Sequence, residues 1–426
     1  PAPVVGLTNV VSIEAGSLTG VAAKADGTVW TWGRNNGGQI GDGTNIDRLT
    51  PVRVSGLTGV VSVCGGQASY NLALKSDGTV WTWGQNNFGQ LGDGTTTNRL
   101  TPVQVSGLTG VVAIGGAQGH SLALKSDGSV WTWGLNNAGQ LGDGTTIDRL
   151  TPIRVNGLTG IIAITGFSYF SLAAKADGTV WAWGQNANGQ LGDGTTIDRL
   201  TPVQVSGLTE VSAIAAGFQH SLALKSDGTV WAWGDNSFGQ LCNVAVQNST
   251  TPVRVSGLTR IAAIGAGRNH NMAVQSPDAP TTVGASPADA ATNVSTNTKI
   301  SWVAVPFANY DFQLSKDTNF VTLTTNISNS SSNTYTPTSA LSANTTYFWR
   351  VRSRLMTLTS AWVAGTFTTV SPAVLTPTPA PATPMPTPPT PTTPTPTSPP
   401  VTPPVSTPSP TPVSSTPWAT IIAVIV

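Results

Sequence analysis

The 426 residues are enough for roughly three domains, yet only 9% are charged, against about 25% in an ordinary soluble domain. The net charge of +1 excludes the basic surface that a nucleic-acid binder needs. The 39% apolar content, with tryptophans at regular intervals, excludes a disordered chain, and 46 glycines and 31 prolines point to short strands and turns.

The two cysteines, Cys64 and Cys242, are too few for a disulfide framework and cannot make a zinc site by themselves; both are expected to be free thiols. No run approaches the roughly 20 apolar residues that span a bilayer, so no membrane-spanning segment is expected. A first residue of proline reads as a processed chain or a fragment.

The chain opens on a repeat. Trp-x-Trp-Gly begins at Trp30, Trp81, Trp131, Trp181 and Trp231, and Gly-Leu-Thr begins at Gly6, Gly56, Gly107, Gly157, Gly207 and Gly257. A period of about 50 residues suits four short strands and their turns, one blade of a β-propeller. In the third unit the strands are expected at Val111 to Ile114, Ser121 to Leu124, Val130 to Trp133 and Pro152 to Val155. Asp127-Gly128 should form a type I′ hairpin turn. Residues two apart on a strand share a face. Both tryptophans of a unit should therefore face the same neighbouring blade, as core rather than as a sugar platform.

The Asp-Gly-x-Val strand ending in Trp-Gly (Asp127 to Gly134), the Gly-Gln-Leu-Gly loop (Gly139 to Gly142), Thr151-Pro152, and the segment Ala216-Gly217-Phe218-Gln219-His220-Ser221-Leu222-Ala223-Leu224 resemble the regulator of chromosome condensation repeat. The resemblance covers about residues 1–276 and implies a β-propeller. The eukaryotic founder is a seven-bladed, chromatin-bound exchange factor for a small GTPase. Bacterial members are secreted protein binders, one of them a β-lactamase inhibitor. Fold alone transfers none of these activities.

Here five units are complete. The sixth breaks at Ser276-Pro277-Asp278, where its turn and tryptophan strand should be. The expected fold is therefore all-β, with six blades of which the last is incomplete. Its candidate open edge is Asn271, Met272, Ala273 and Val274. Val4 and Val5, following Pro3, look like a Thr-Pro-Val strand that ring closure would lend to the sixth blade.

No catalytic or metal constellation is legible, and no cofactor is expected. His120, His220 and His270 occupy one repeat position that Tyr70 and Phe170 fill elsewhere, so they read as structural. Asp42, Asp93, Asp143 and Asp193 recur once per blade and read as turn residues. Arg48, Arg99, Arg149 and Arg199 are expected to pair with their preceding neighbours Asp47, Asn98, Asp148 and Asp198.

Residues 279–370 alternate apolar and polar positions, as a β-sandwich does. Leu341 to Tyr347, followed by Trp349-Arg350-Val351, resembles the tyrosine corner of fibronectin type III domains, which implies a bond from Tyr347 to backbone near Leu341. Residues 371–417 hold 19 prolines in a Pro/Thr/Ser tract. As polyproline II at about 3.1 Å per residue this stalk would reach roughly 145 Å.

Residues 418–426 are uncharged, free of proline and largely β-branched, an aggregation-prone strand that something must cover. Trp418, Ile421, Ile422, Val424, Ile425 and Val426 are its candidate interaction residues. The whole reads as a non-enzymatic extracellular or cell-surface protein, structural or adhesive, that forms a homo-oligomer through its tail. The alternative is a propeller whose loops bind a protein or glycan ligand.

Overall fold

In a computed structural model of the chain, the described residues are 4–243, 247–281, 285–306, 308–355 and 358–370, and all regular structure among them is β. They form two compact units, one ending at Pro277 and the other starting at Asp278.

The first unit holds five four-stranded antiparallel sheets, over 10–53, 60–104, 111–154, 161–204 and 211–254, and a two-stranded sheet made of Ile261–Ala266 and Asn271–Gln275. These are five complete propeller blades and half of a sixth. In blade 3 the strands are Val111–Gly116, His120–Lys125, Val130–Gly134 and Arg149–Arg154, paired in sequence order. First strands of successive blades lie against one another along the inside of the arc. The fourth strand is the outer edge and starts three residues before Pro152. A proline is admissible there because its missing N–H would face no neighbour.

The Asp127-Gly128 turn differs from the expected type. Gly128 has φ +77° while Asp127 does not leave the ordinary region, and the Gly128 N–H donates to the Lys125 carbonyl at 2.9 Å. This is a type I turn closed by one left-handed glycine. Asp127 accepts from the Ser129 N–H and hydroxyl, which fixes the turn without a second positive φ.

Core lies between blades. Tyr70, Leu72, Leu91 and Val105 of blade 2 pack with Val111, Ala123 and Trp133 of blade 3, and Trp131 lies against the same cluster. Both tryptophans therefore face the same neighbour. The second is fully buried. The first is half-buried, with the Lys125 ammonium 5.5 Å from the Trp131 ring.

Among the described residues the ends of the arc do not cover each other. Val10 is 39% exposed where its repeat equivalent Val60 is 2%, and Met272 is 55% exposed where Leu222 is 1%. Val4 and Val5 are exposed and lie in a turn rather than a strand, so they lend no fourth strand to the sixth blade. Gly6-Leu7 follows them directly, and the Leu7 N–H bonds back to the Val4 carbonyl at 3.4 Å.

The second unit has the sheet order Ala291–Val294, Val363–Thr369, Thr346–Leu355, Asn309–Ser315, Leu323–Ser330, with a small sheet of Ile300–Ser301 and Thr334–Tyr335. Trp302, Tyr310, Phe312, Leu314, Tyr347, Trp349 and Phe367 fill its core. The Ser342 N–H donates to the Tyr347 hydroxyl at 3.0 Å, next to Leu341 as expected.

Candidate functional site

In blades 2 to 5 one carbonyl of the preceding blade accepts two side-chain hydrogen bonds, forming a clasp. The Gln90 carbonyl, in the Gly-Gln-Leu-Gly loop of blade 2, accepts from Ser121 Oγ and from Trp133 Nε1, both at 2.9 Å. The Gln39, Gln140 and Gln190 carbonyls repeat this with Asn71 and Trp83, Ser171 and Trp183, Ser221 and Trp233. The last glycine of each loop makes room for the incoming tryptophan. At Gly142, with φ +71°, a Cβ would stand 2.9 Å from Trp183.

The clasp fails at both ends. Trp32, the first blade's second tryptophan, is only half-buried, and among the described residues no preceding glutamine reaches it. At the other end the Gln240 carbonyl accepts from Asn271 Nδ2 at 2.6 Å, and among the described residues no tryptophan joins it. Cys242 stands where the other loops have their glycine, exposed and with φ +49°. A side chain fits there because no tryptophan presses on that position. The cysteine and the missing aromatic are two views of one feature.

The candidate edge residues Asn271, Met272, Ala273 and Val274 form the outer strand of the sixth blade. It pairs with Ile261–Ala266 on one side and with nothing on the other among the described residues. Ala273 is exposed, whereas Ala123, Ala173 and Ala223 are fully buried in the complete blades. Trp418, Ile421, Ile422, Val424, Ile425 and Val426 lie outside the described residues.

Of the three histidines in the shared repeat position, His120 and His220 are buried within the propeller and His270 is exposed. His120 Nε2 lies 3.0 Å from Ser171 Oγ, and His220 Nε2 lies 2.7 Å from Asn271 Oδ1. Burial pushes His120 down to about 3 and also lowers His220, so both are neutral at pH 7. Among the described residues no three His, Cys, Asp or Glu side chains group as metal ligands would.

The arginines do not pair with their preceding neighbours. Arg48 reaches back to Asp42 at 2.5 Å, and Arg99, Arg149 and Arg199 do the same to Asp93, Asp143 and Asp193. Asp47, Asp148 and Asp198 instead accept backbone N–H groups of Asn35, Asn136 and Asn186. Burial works against the charge of Asp42, Asp93, Asp143 and Asp193. Bonds from the following threonine and from arginine outweigh it, leaving all four below the usual carboxylate range. Cys64 is half-buried with its thiol pushed up by burial, and both cysteines are free.

A second feature escaped the sequence reading. The loops between first and second strands join blade to blade. The Gln67 N–H donates to the Ala117 carbonyl at 3.1 Å, Gln118 to Ser168 at 3.3 Å, and Phe218 to Arg268 at 3.3 Å. Gln118 Nε2 also donates to the Tyr169 hydroxyl at 3.1 Å, and the Arg268 guanidinium lies 4.8 Å from the Phe218 ring centre. This crown carries different side chains in every blade, whereas the strands beneath are nearly identical. That divergence within one chain was the available signal.

The sequence matches the Regulator of chromosome condensation (RCC1) repeat at residues 26–70, 77–124, 127–174, 177–224 and 227–274, more than half of the chain. It is 40% identical over 97 residues to the human E3 ubiquitin-protein ligase HERC2, covering 22% of this chain and 2% of that protein. It is 38% identical over 106 residues to the ultraviolet-B receptor UVR8 of Arabidopsis thaliana, covering 24% of each. The chain thus spans a quarter or less of these curated relatives.

Among solved structures, human WBSCR16 superposes with a TM-score of 0.56 at 26% identity, covering 62% of this chain and 74% of that one. Prp20p of Saccharomyces cerevisiae, described with its binding to Gsp1p and histones, gives 0.54 at 23% identity, covering 62% and 68%, a likeness of fold. The clasped blades, their repeated loops and this match lead to one conclusion: the chain belongs to the Regulator of chromosome condensation (RCC1) repeat family.

Proposed function

We propose that this is a non-enzymatic extracellular or cell-surface protein, structural or adhesive, whose copies assemble with one another into a fibre or coat. The supporting observation is the unfinished arc. A strand edge at Asn271–Gln275 left unpaired among the described residues and exposed apolar side chains at Val10, Ile13 and Met272 are costly to leave in water. The low charge and the Pro/Thr/Ser tract favour a location outside the cell. Light scattering on the purified full chain over a range of concentrations tests the reading. A concentration-dependent rise in mass is expected, and a monomer at every concentration would refute it.

The crown supports a second reading, in which the propeller holds a ligand. Its loops are pre-organised by bonds between blades and differ from blade to blade in Gln67, Gln118, Tyr169, Phe218 and Arg268, as a binding surface would. Relatives with this fold include proteins that bind other proteins, and a protein ligand is the simpler partner. Replacing Tyr169 and Phe218 by alanine should then abolish binding of a ligand that the intact chain holds, while leaving its mass unchanged.

A further inference from the structure

The five complete blades specify what the sixth lacks. In each, the first tryptophan of the third strand stands opposite an alanine of the second strand, and the second tryptophan opposite Ser, Asn or the equivalent glycine. Trp231 faces Ala223 and Trp233 faces Ser221. The equivalent positions in the sixth blade are Ala273 and Asn271, both on the strand with the open edge. In four of the five blades the first tryptophan also donates its Nε1 to a Thr or Ser hydroxyl two residues before it, as Trp231 does to Thr229 at 3.3 Å.

Leading into and along the third strand of blade 5, Val230–Asp235, the sequence reads Thr229-Val230-Trp231-Ala232-Trp233, and the C-terminal segment reads Thr416-Pro417-Trp418-Ala419-Thr420. The threonine hydroxyl that accepts from the indole, the first tryptophan and the alanine are kept at the same spacing. Proline takes the first strand position, where it is tolerated. The second tryptophan is replaced by threonine, and that change answers Cys242. In the other loops the second tryptophan requires glycine, because a Cβ would approach it to 2.7–2.9 Å. A loop that carries cysteine instead has room for a small side chain, and Thr420 is one.

Building on the assembly reading above, we infer that residues 418–426 of a neighbouring copy enter the sixth blade as its missing third strand, with Trp418 opposite Ala273 and Thr420 opposite Asn271. The added strand completes the hydrogen-bond ladder on the open edge, as β-strand addition does. Trp418 covers the exposed Ala273, and the residues beyond Ile421 run past the end of the blade. Residues 371–417, with 19 prolines, are long enough to carry the segment to a neighbouring copy, and pairing with the chain's own propeller would instead give protection that does not vary with concentration. Donation in one direction yields a filament where the rotation from copy to copy does not close a ring.

The test compares four full-fold proteins: the intact chain, a chain ending at Pro417, Thr420→Trp, and Thr420→Trp combined with Cys242→Gly. The readouts are mass by light scattering and amide exchange at residues 271–274. The intact chain should protect these amides in a concentration-dependent way. Removing the tail should speed their exchange on the order of tenfold or more and abolish assembly. Thr420→Trp alone should weaken assembly, and adding Cys242→Gly should restore it. Exchange unchanged by removal of the tail overturns the inference, as does protection that does not vary with concentration, or a Thr420→Trp defect that Cys242→Gly fails to repair. If the truncated chain still assembles, the joint inferred here is wrong while the assembly reading stands. A full chain that never assembles defeats that reading itself.

Discussion

Replacing Trp133 by alanine should cost far more than the same change at Trp32, although the two occupy the same repeat position. Trp133 is fully buried between blades 2 and 3, donates to the Gln90 carbonyl at 2.9 Å and lies against Gly92. Its removal leaves a cavity lined by Tyr70, Leu72, Leu91 and Val105. The rigid loop glycine and strand backbones limit collapse, so the loss should reach about 3–5 kcal/mol. The Gln90 carbonyl keeps its bond from Ser121 Oγ, so no unpaired polar group adds to that figure. Among the described residues no blade packs ahead of Trp32, which is half-buried, so its truncation should cost roughly 1–2 kcal/mol. Urea denaturation of the two variants, followed by far-ultraviolet circular dichroism, gives the comparison. Equal losses would refute the claim that stability resides in the joints between blades.

Gly192→Cys, which copies the blade 5 loop into blade 4, should destabilise strongly because Trp233 stands 2.7 Å from a Cβ there; a thermal melt like that of the parent would contradict this. His120→Phe should cost less than about 1 kcal/mol, as Phe170 fills the equivalent slot and Ser171 retains the Gln140 carbonyl; a loss of several kcal/mol in urea would contradict it. The four depressed loop aspartates have folded pKa values below the unfolded value of about 3.9. Their contribution is present above about pH 4 and is lost as pH falls through the folded values. Urea midpoints should therefore drop on going from pH 5 to about pH 2.5, and drop less in Asp143→Asn. In the folded protein a thiol reagent should modify exposed Cys242 faster than half-buried Cys64, whose thiol burial pushes up; equal rates would contradict this.

Much of the propeller was legible because the repeat states the same strand five times. Spacing located each strand to within a few residues, and the two-residue side-chain period put both tryptophans on one face. Outer strands were harder to place, since Arg149 to Thr151 join Arg149–Arg154 through pairing with Gly134, which no local pattern announces. The Arg149 to Asp143 pair was missed for a related reason. The loop doubles back, so a partner six residues away is nearer than the adjacent Asp148. Val4 and Val5 carried a strand motif without a neighbouring sheet to pair with, and became a turn. The role of Cys242 was hidden until the carbonyl clasp showed that a tryptophan, not the backbone alone, demands glycine there.

Electron microscopy of the purified full chain, beside the chain ending at Pro417, tests the central claim most directly. Donor-strand assembly predicts filaments in the first preparation and single particles in the second. Filaments in both, or single particles in both, would contradict it.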